Sequence, residues 1–286
     1  QNLGKSIAEK FLVPYNEKLY ACDLNKLDVN AMGRFFPKAS KDDIIRNFRN
    51  SDNQSYNSFF TYPEGGAIEY IKSLASNIDS DKIFLNEQVE QIDPESKTVR
   101  TNKRTLRYDH LISTIPFPKL LDICSIEYDK QLYTCNKVMV FNLGFDRKGH
   151  DTINHWVYIP DKEIIFYRIG YYDNIIQSDK MSLYIEIGFP KETRLKEKSF
   201  YLERIMRDLK KTGIVRDEQL VAYHSVVMDP AYVHISKESV EDVKRLKNQL
   251  ALYQIYPIGR YGSWTYCSIE DNIKEAQETV QTISKK

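Results

Sequence analysis

The sequence predicts a mixed α/β fold, α+β in part, with helices and strands alternating at both ends and an antiparallel sheet in the middle. Three observations predict it. Residues 62–116 pass from an amphipathic helical pattern to strand patterns. Residues 136–228 carry long runs rich in β-branched and aromatic residues, separated by turns. Residues 253–284 then return to a strand followed by a helix. Such interleaving implies two spatial units built from discontinuous pieces, with the crevice between them as the ligand site.

Element by element, residues 2–20 place Leu3, Ile7, Phe11 and Leu12 at helical spacing, and Pro14 is expected to break or kink the run. "DVNAMGRFFP" and "SKDDIIRNF" read as short helices, the second with Ser40 as its N-cap. The polar run at residues 49–58 is the first seam between units. "YPEGGAIEYIKSLASNI" is a Gly-Gly turn feeding a helix with Ala67, Ile68, Ile71 and Leu74 on one face. "KIFLNEQVEQID" is expected as a strand, followed by the turn "DPES", the strand "KTVRT", and "LISTIP", a continuous apolar strand expected to be buried on both faces. A short helix at "FPKLLDI" follows. The strands "NKVMVFNLGF", "NHWVYIP", "EIIFYRIGYY", "SLYIEIGFP" and "LVAYHSVVM" then form an antiparallel sheet, one face packed and one facing a ligand or water. The helix "KSFYLERIMRDLKKTGI" lies among them. A second helix starts at Ser236 and Ser239 in a capping box, "YQIYPIG" is a strand, and a last helix runs from Glu270 to about Ser284.

The totals bound the function. A chain of 286 residues, 42% apolar, can bury a sizeable core. Its 41 Lys and Arg against 40 Asp and Glu leave no overall field for nucleic acid or anionic membrane, so any anion site must be local. The 20 tyrosines supply rings that stack on a flat ligand while a hydroxyl makes a hydrogen bond. Cys22, Cys124, Cys135 and Cys267 lack metal-ligand spacing, which argues for free thiols in a reducing compartment and against a metal. There is no run long enough to span a membrane and no signal-peptide pattern, so a cytoplasmic location is expected. The first residue is not Met, and a longer parent chain is expected.

None of the five histidines stands in triad or metal spacing, and GxSxG, P-loop and HExxH are absent. A reactive atom supplied by a cofactor is the expectation. "GRYGSWTYCSIEDNI", residues 259–273, fits one: glycines between a strand and a helix bring backbone N–H groups toward an anion, and Arg260 adds a planar fork suited to a pyrophosphate. A plain strand-to-helix turn, with Arg260 in a surface ion pair, remains open.

The order of "PYNEKLYACDLNKLDVNAMGRFFP", "YPEGGAIEYIKSLA", "IFLNEQVEQID", "YDHLISTIP", "IFYRIG" and "IGRYGSWTYCSIEDNI" resembles the FAD-dependent family of UDP-galactopyranose mutase, bordering on the protoporphyrinogen oxidase and amine oxidase flavoproteins. The resemblance runs from about Phe11 to the C-terminus. It implies an incomplete FAD/NAD(P)-binding Rossmann-like domain, residues 58–116 and 251–286. The substrate domain would comprise a helical part, residues 1–57, and an antiparallel-sheet part, residues 117–250. It implies that Val89 contacts FAD through its backbone, that Arg260 reaches the pyrophosphate, and that the turn with Gly262 and Ile269 approaches the flavin ring. Arg34, Arg168 and Tyr266 would hold a substrate diphosphate, with Tyr20 where the mutases carry a tryptophan and Ser268 where they carry an aspartate. Flavin N5 would be the reactive atom, with no catalytic side chain. The implied activity is isomerisation of a nucleotide sugar in surface polysaccharide synthesis. An FAD-dependent oxidase of amines or porphyrinogens is the alternative. Because the sequence has no GxGxxG turn, a third reading is a non-catalytic fragment without flavin. A homo-oligomer is left open.

Overall fold

The computed structural model describes residues 4–31, 42, 45–46 and 60–285. Of the two short helices expected at residues 28–37 and 40–48, residues 28–31 form a turn and residues 42, 45 and 46 are helical; the rest of them, Arg34 included, and the polar seam lie outside the described residues.

The middle of the chain forms a five-stranded antiparallel sheet in the order β6-β7-β8-β5-β9. Its strands are β5 (Asn136–Phe145), β6 (Trp156–Tyr158), β7 (Arg168–Tyr171), β8 (Ser182–Pro190) and β9 (Leu220–Met228). Alternation in β5 sends Met139, Phe141, Leu143 and Phe145 to one face, and β8 adds Leu183, Ile185 and Ile187. Tyr201, Ile205 and Leu209, four residues apart on a helix (Lys198–Lys211), close over that face. The other face carries Val140, Asn142, Tyr184, Glu186 and Arg168, as the cross-strand register requires. β5, β8 and β9 coincide with their sequence patterns. The pattern at residues 163–172 does not: only Arg168–Tyr171 is strand, and Tyr172–Ile175 turns into a short helix.

The N-terminal run stays helical through Pro14. Helix α1 (Lys5–Ile7) passes through a π-helical turn (Ala8–Leu12) into α2 (Val13–Tyr20), with Pro14 in the first turn of α2. A proline inside a regular helix clashes with the carbonyl four residues back, and the wider π turn is one way to accommodate it. The C-terminal end of α2 lies against β8. The Lys18 ammonium donates to the carbonyls of Ile159, Asp161 and Phe166 at 2.9, 2.8 and 2.5 Å. A Cβ at Gly188 would stand 2.2 Å from the Lys18 carbonyl oxygen, so only glycine allows this approach.

The rest builds a second core. It joins β1 (Val89–Asp93), β2 (Thr98–Thr101) and β3 (Thr105–Arg107), an antiparallel sheet, to α4 (Phe117–Ile123) and α7 (Lys237–Leu252). Here α3 is Ile68–Ala75, α5 is Tyr172–Ile175 and α6 is Lys198–Lys211. Ser236 and Ser239 close the capping box of α7 as expected. β4 (Leu111–Ser113) pairs in parallel with β10 (Ile255–Pro257). Two expectations change here. β1 begins only at Val89, after a left-handed turn at Asn86. β4 is not buried on both faces, since Ile112 is exposed. The last helix, α9, runs Ile269–Ser284, with the single turn α8 (Gly259–Gly262) before it.

Candidate functional site

The site grows from the open face of the five-stranded sheet. In register, Tyr158, Arg168, Glu186, Val140 and Val226 form one row across all five strands. Phe166 and Ile169 both point into the first core, whereas Tyr167 lies with the residues of the opposite side. The two residues Tyr167 and Arg168 thus face the single Glu186: the Tyr167 N–H donates to the Glu186 carbonyl at 3.0 Å, and Arg168 pairs with Glu186 in register. An extra residue of this kind re-aims side chains. Both reach the Glu186 carboxylate, Arg168 through Nη2 and Tyr167 through its hydroxyl. Arg168 also lies 5.9 Å from the Tyr184 ring centroid. That ring spreads over Gly170, where a Cβ would stand 1.7 Å from it.

A second group comes from the C-terminal motif. The Arg260 guanidinium stands 4.5 Å from the Tyr266 ring and 5.2 Å from that of Tyr232, and the two rings stack 6.1 Å apart at 13°. Tyr20 meets Tyr232 edge-on at 5.8 Å. Asn136, fully buried, ties this arrangement together: Nδ2 donates to the Leu19 carbonyl at 2.6 Å, and Oδ1 accepts the Tyr232 N–H at 2.7 Å. His234 bridges Thr134 and the Tyr20 carbonyl at 3.0 Å each; since a carbonyl only accepts, Nε2 carries the proton.

The two groups meet at Tyr232. Burial pushes its phenol up to about 12; Arg168 and Arg260 both pull it down, while Glu186 and Tyr266 push it up. One nearly buried ring therefore feels both guanidinium charges. Each arginine also has a buried Nε without a hydrogen-bond partner. Such donors are costly to leave unmet, and an anionic ligand is the chemistry that meets them.

Of the residues named from sequence, Tyr20, Arg168, Arg260 and Tyr266 come together. Arg34 lies outside the described residues. Val89 opens β1 at the rim of the second core. Gly262 is buried, and a Cβ there would stand 2.8 Å from the Ser113 carbonyl, so it lets α8 rest on the end of β4. The Gly259 N–H is not open to an anion as expected: the Glu275 carboxylate accepts it at 2.7 Å. Ile269 heads α9, whose N-cap Ser268 shares a capping box with Asp271. Asn136, Tyr167, Tyr184, Glu186 and Tyr232 were missed. Only Gly170 offered a signal, as a glycine inside a strand pattern where another group approaches closely.

A family model described as flavin containing amine oxidoreductase matches residues 3–277. Among solved structures, reduced UDP-galactopyranose mutase matches with a TM-score of 0.82 at 22% identity, over 93% of this chain and 61% of that one. A protein from Exiguobacterium sp. 255-15 described as a protoporphyrinogen oxidase gives 0.65 at 14% identity, over 83% of this chain and 55% of its own. A CLA-producing fatty acid isomerase from P. acnes gives 0.55 at 13% identity, over 76% and 52%. These likenesses show the fold, and the chain spans less than two thirds of each matched protein.

Proposed function

The chain belongs to the flavin-containing amine oxidoreductase family, whose cofactor is FAD, and from that premise we propose that it serves an FAD-dependent enzyme acting on a nucleotide sugar, as a pyranose–furanose isomerase of the mutase type. The observation that carries this reading is the convergence of Arg168 and Arg260 on Tyr232, with Tyr20 and Tyr266 beside them. Two fixed cations among tyrosines suit a diphosphate.

The residues present fit FAD in part. β4 and β10 run parallel and end side by side, and ligands of α/β sheets bind outside such carboxyl ends. Arg260, in the turn just beyond β10, has the buried unpartnered Nε that a pyrophosphate oxygen would satisfy. Arg260 would hold the pyrophosphate, the turn from Gly262 to Ile269 would lie toward the ring, and the Val89 backbone would lie toward the adenine. Bound FAD supplies the nucleophilic, redox-active ring nitrogen that no side chain here provides. The chain's own residues do the rest. Arg168 takes the substrate diphosphate, helped by Tyr266 and, by resemblance, by Arg34. Tyr20, at the end of α2, packs edge-on against Tyr232, and these rings would keep water from the reacting carbon.

The test is titration with UDP by calorimetry. Arg168→Ala is expected to bind UDP roughly 10- to 100-fold more weakly than wild type, the worth of a charge-assisted hydrogen bond; equal affinity removes the substrate site. Family membership also keeps an amine-oxidising activity in view. Oxygen consumption with an amine, together with indifference to UDP-sugars, would transfer the assignment to it.

A further inference from the structure

We propose that Glu186 meters the charge that Arg168 presents to its ligand, making it a specificity-determining residue that acts through Arg168; the inference rests on the nucleotide-sugar reading above. The two side chains sit at different depths. Glu186 retains 8% of its side-chain exposure and Arg168 retains 27%, so the carboxylate holds the guanidinium from the protein side while the arginine reaches outward. The carboxylate is engaged on both oxygens, by Arg168 Nη2 and by the Tyr167 hydroxyl. Tyr167 is fully buried, so the carboxylate is held in place and does not swing away when a ligand arrives.

A diphosphate that binds Arg168 therefore meets a cation already matched by a fixed anion. Phosphate and carboxylate oppose one another across a single guanidinium, in partly buried surroundings where water screens such repulsion poorly. The arrangement has a use. An unpaired arginine at this depth would be strongly destabilising, and Glu186 keeps it paired when the site is empty. The same carboxylate weakens the hold on a dianion, which lets product leave. A neutral group on the ligand feels none of this, so the effect belongs to the charged part of the substrate alone.

Glu186→Gln isolates the charge. The amide oxygen still accepts from Arg168 and the amide nitrogen can donate to the Tyr167 oxygen, so shape and anchoring persist. UDP and uridine are titrated by calorimetry against wild type, Glu186→Gln, Arg168→Ala and the double variant, with a melting curve for each. The expected result is roughly tenfold tighter UDP binding by Glu186→Gln, unchanged uridine binding, and no gain when Arg168 is already alanine. A merely structural role could only weaken binding, and would weaken uridine with it. If Glu186→Gln does not fold, Glu186→Asp, which keeps an acceptor but draws the carboxylate back from Arg168, reads the same effect as tighter UDP binding with uridine binding unchanged. Arg168-dependent UDP binding that Glu186→Gln leaves equal or weaker overturns the metering role alone. A wild type that binds no UDP, or binds it equally without Arg168, overturns the nucleotide-sugar reading and this inference together.

Discussion

The planar face of Arg260 is met by Tyr266 at 4.5 Å and Tyr232 at 5.2 Å, and among the described residues no carboxylate pairs with it. A guanidinium held by rings keeps donors for a ligand, whereas one forked onto a carboxylate, as Arg104 is on Glu87, does not. Arg260→Ala is accordingly expected to lower FAD retention roughly tenfold or more, read as the ratio of flavin to protein absorbance after gel filtration; full retention would place the pyrophosphate elsewhere. Arg260 was legible in the sequence, because an arginine between a glycine and an aromatic residue at a strand end suggests an anion site, whereas Arg168 was implied only by the resemblance of "FYRIG" to the mutases. Glu186 was not: inside "SLYIEIGFP" it reads as an ordinary polar position of an alternating strand. Only the register that sets it opposite Arg168 reveals a partner.

At the level of elements, α2 is placed by what receives its last carbonyls. Asn136 takes that of Leu19, His234 that of Tyr20, and Gly188 makes room for that of Lys18. Asn136→Ala strips both the Leu19 carbonyl and the Tyr232 N–H of their partners and is expected to cost about 2–5 kcal/mol in urea unfolding; a loss below ~1 kcal/mol would mean that the strand and helix dock independently of it. His234 makes the same junction sensitive to pH. Burial holds its pKa below the ordinary value, so the folded protein binds the proton less tightly than the unfolded chain, which titrates near pH ~6.5. Its contribution is fully present above that value and is lost as pH falls toward the lower folded pKa. Unfolding midpoints should therefore fall between pH ~7 and ~5.5, and His234→Gln should reduce that slope. The elements themselves were largely legible. β5, β8, β9 and the long helices follow directly from periods of two and 3.6 residues. Residues 82–88 are not strand, because an asparagine at φ 54° turns the chain where alternation alone predicts extension.

Across the whole molecule, a third buried group containing Leu19, Tyr20, Val138, Tyr167, Ala231 and Tyr232 joins α2, the open sheet face and the approach to the C-terminal motif. The site therefore draws on residues from near 20 to beyond 260, a convergence no local pattern encodes. A ligand touching all of these parts should stabilise them together. At 100 times its Kd, UDP is expected to add about 2.7 kcal/mol to unfolding, seen as a rise in melting temperature that Arg168→Ala reduces at the same UDP concentration. The parallel pairing of β4 with β10 bears on how the chain reaches this state. Residues 111–113 and 255–257 become neighbours in one small sheet although residues 114–254, the entire five-stranded sheet among them, lie between. Closing so long a loop costs entropy that only a preformed intervening piece reduces. Hydrogen exchange during refolding should thus protect β5 and β8 ahead of β10, and nascent chains should acquire affinity for flavin only after the final strand has found its place.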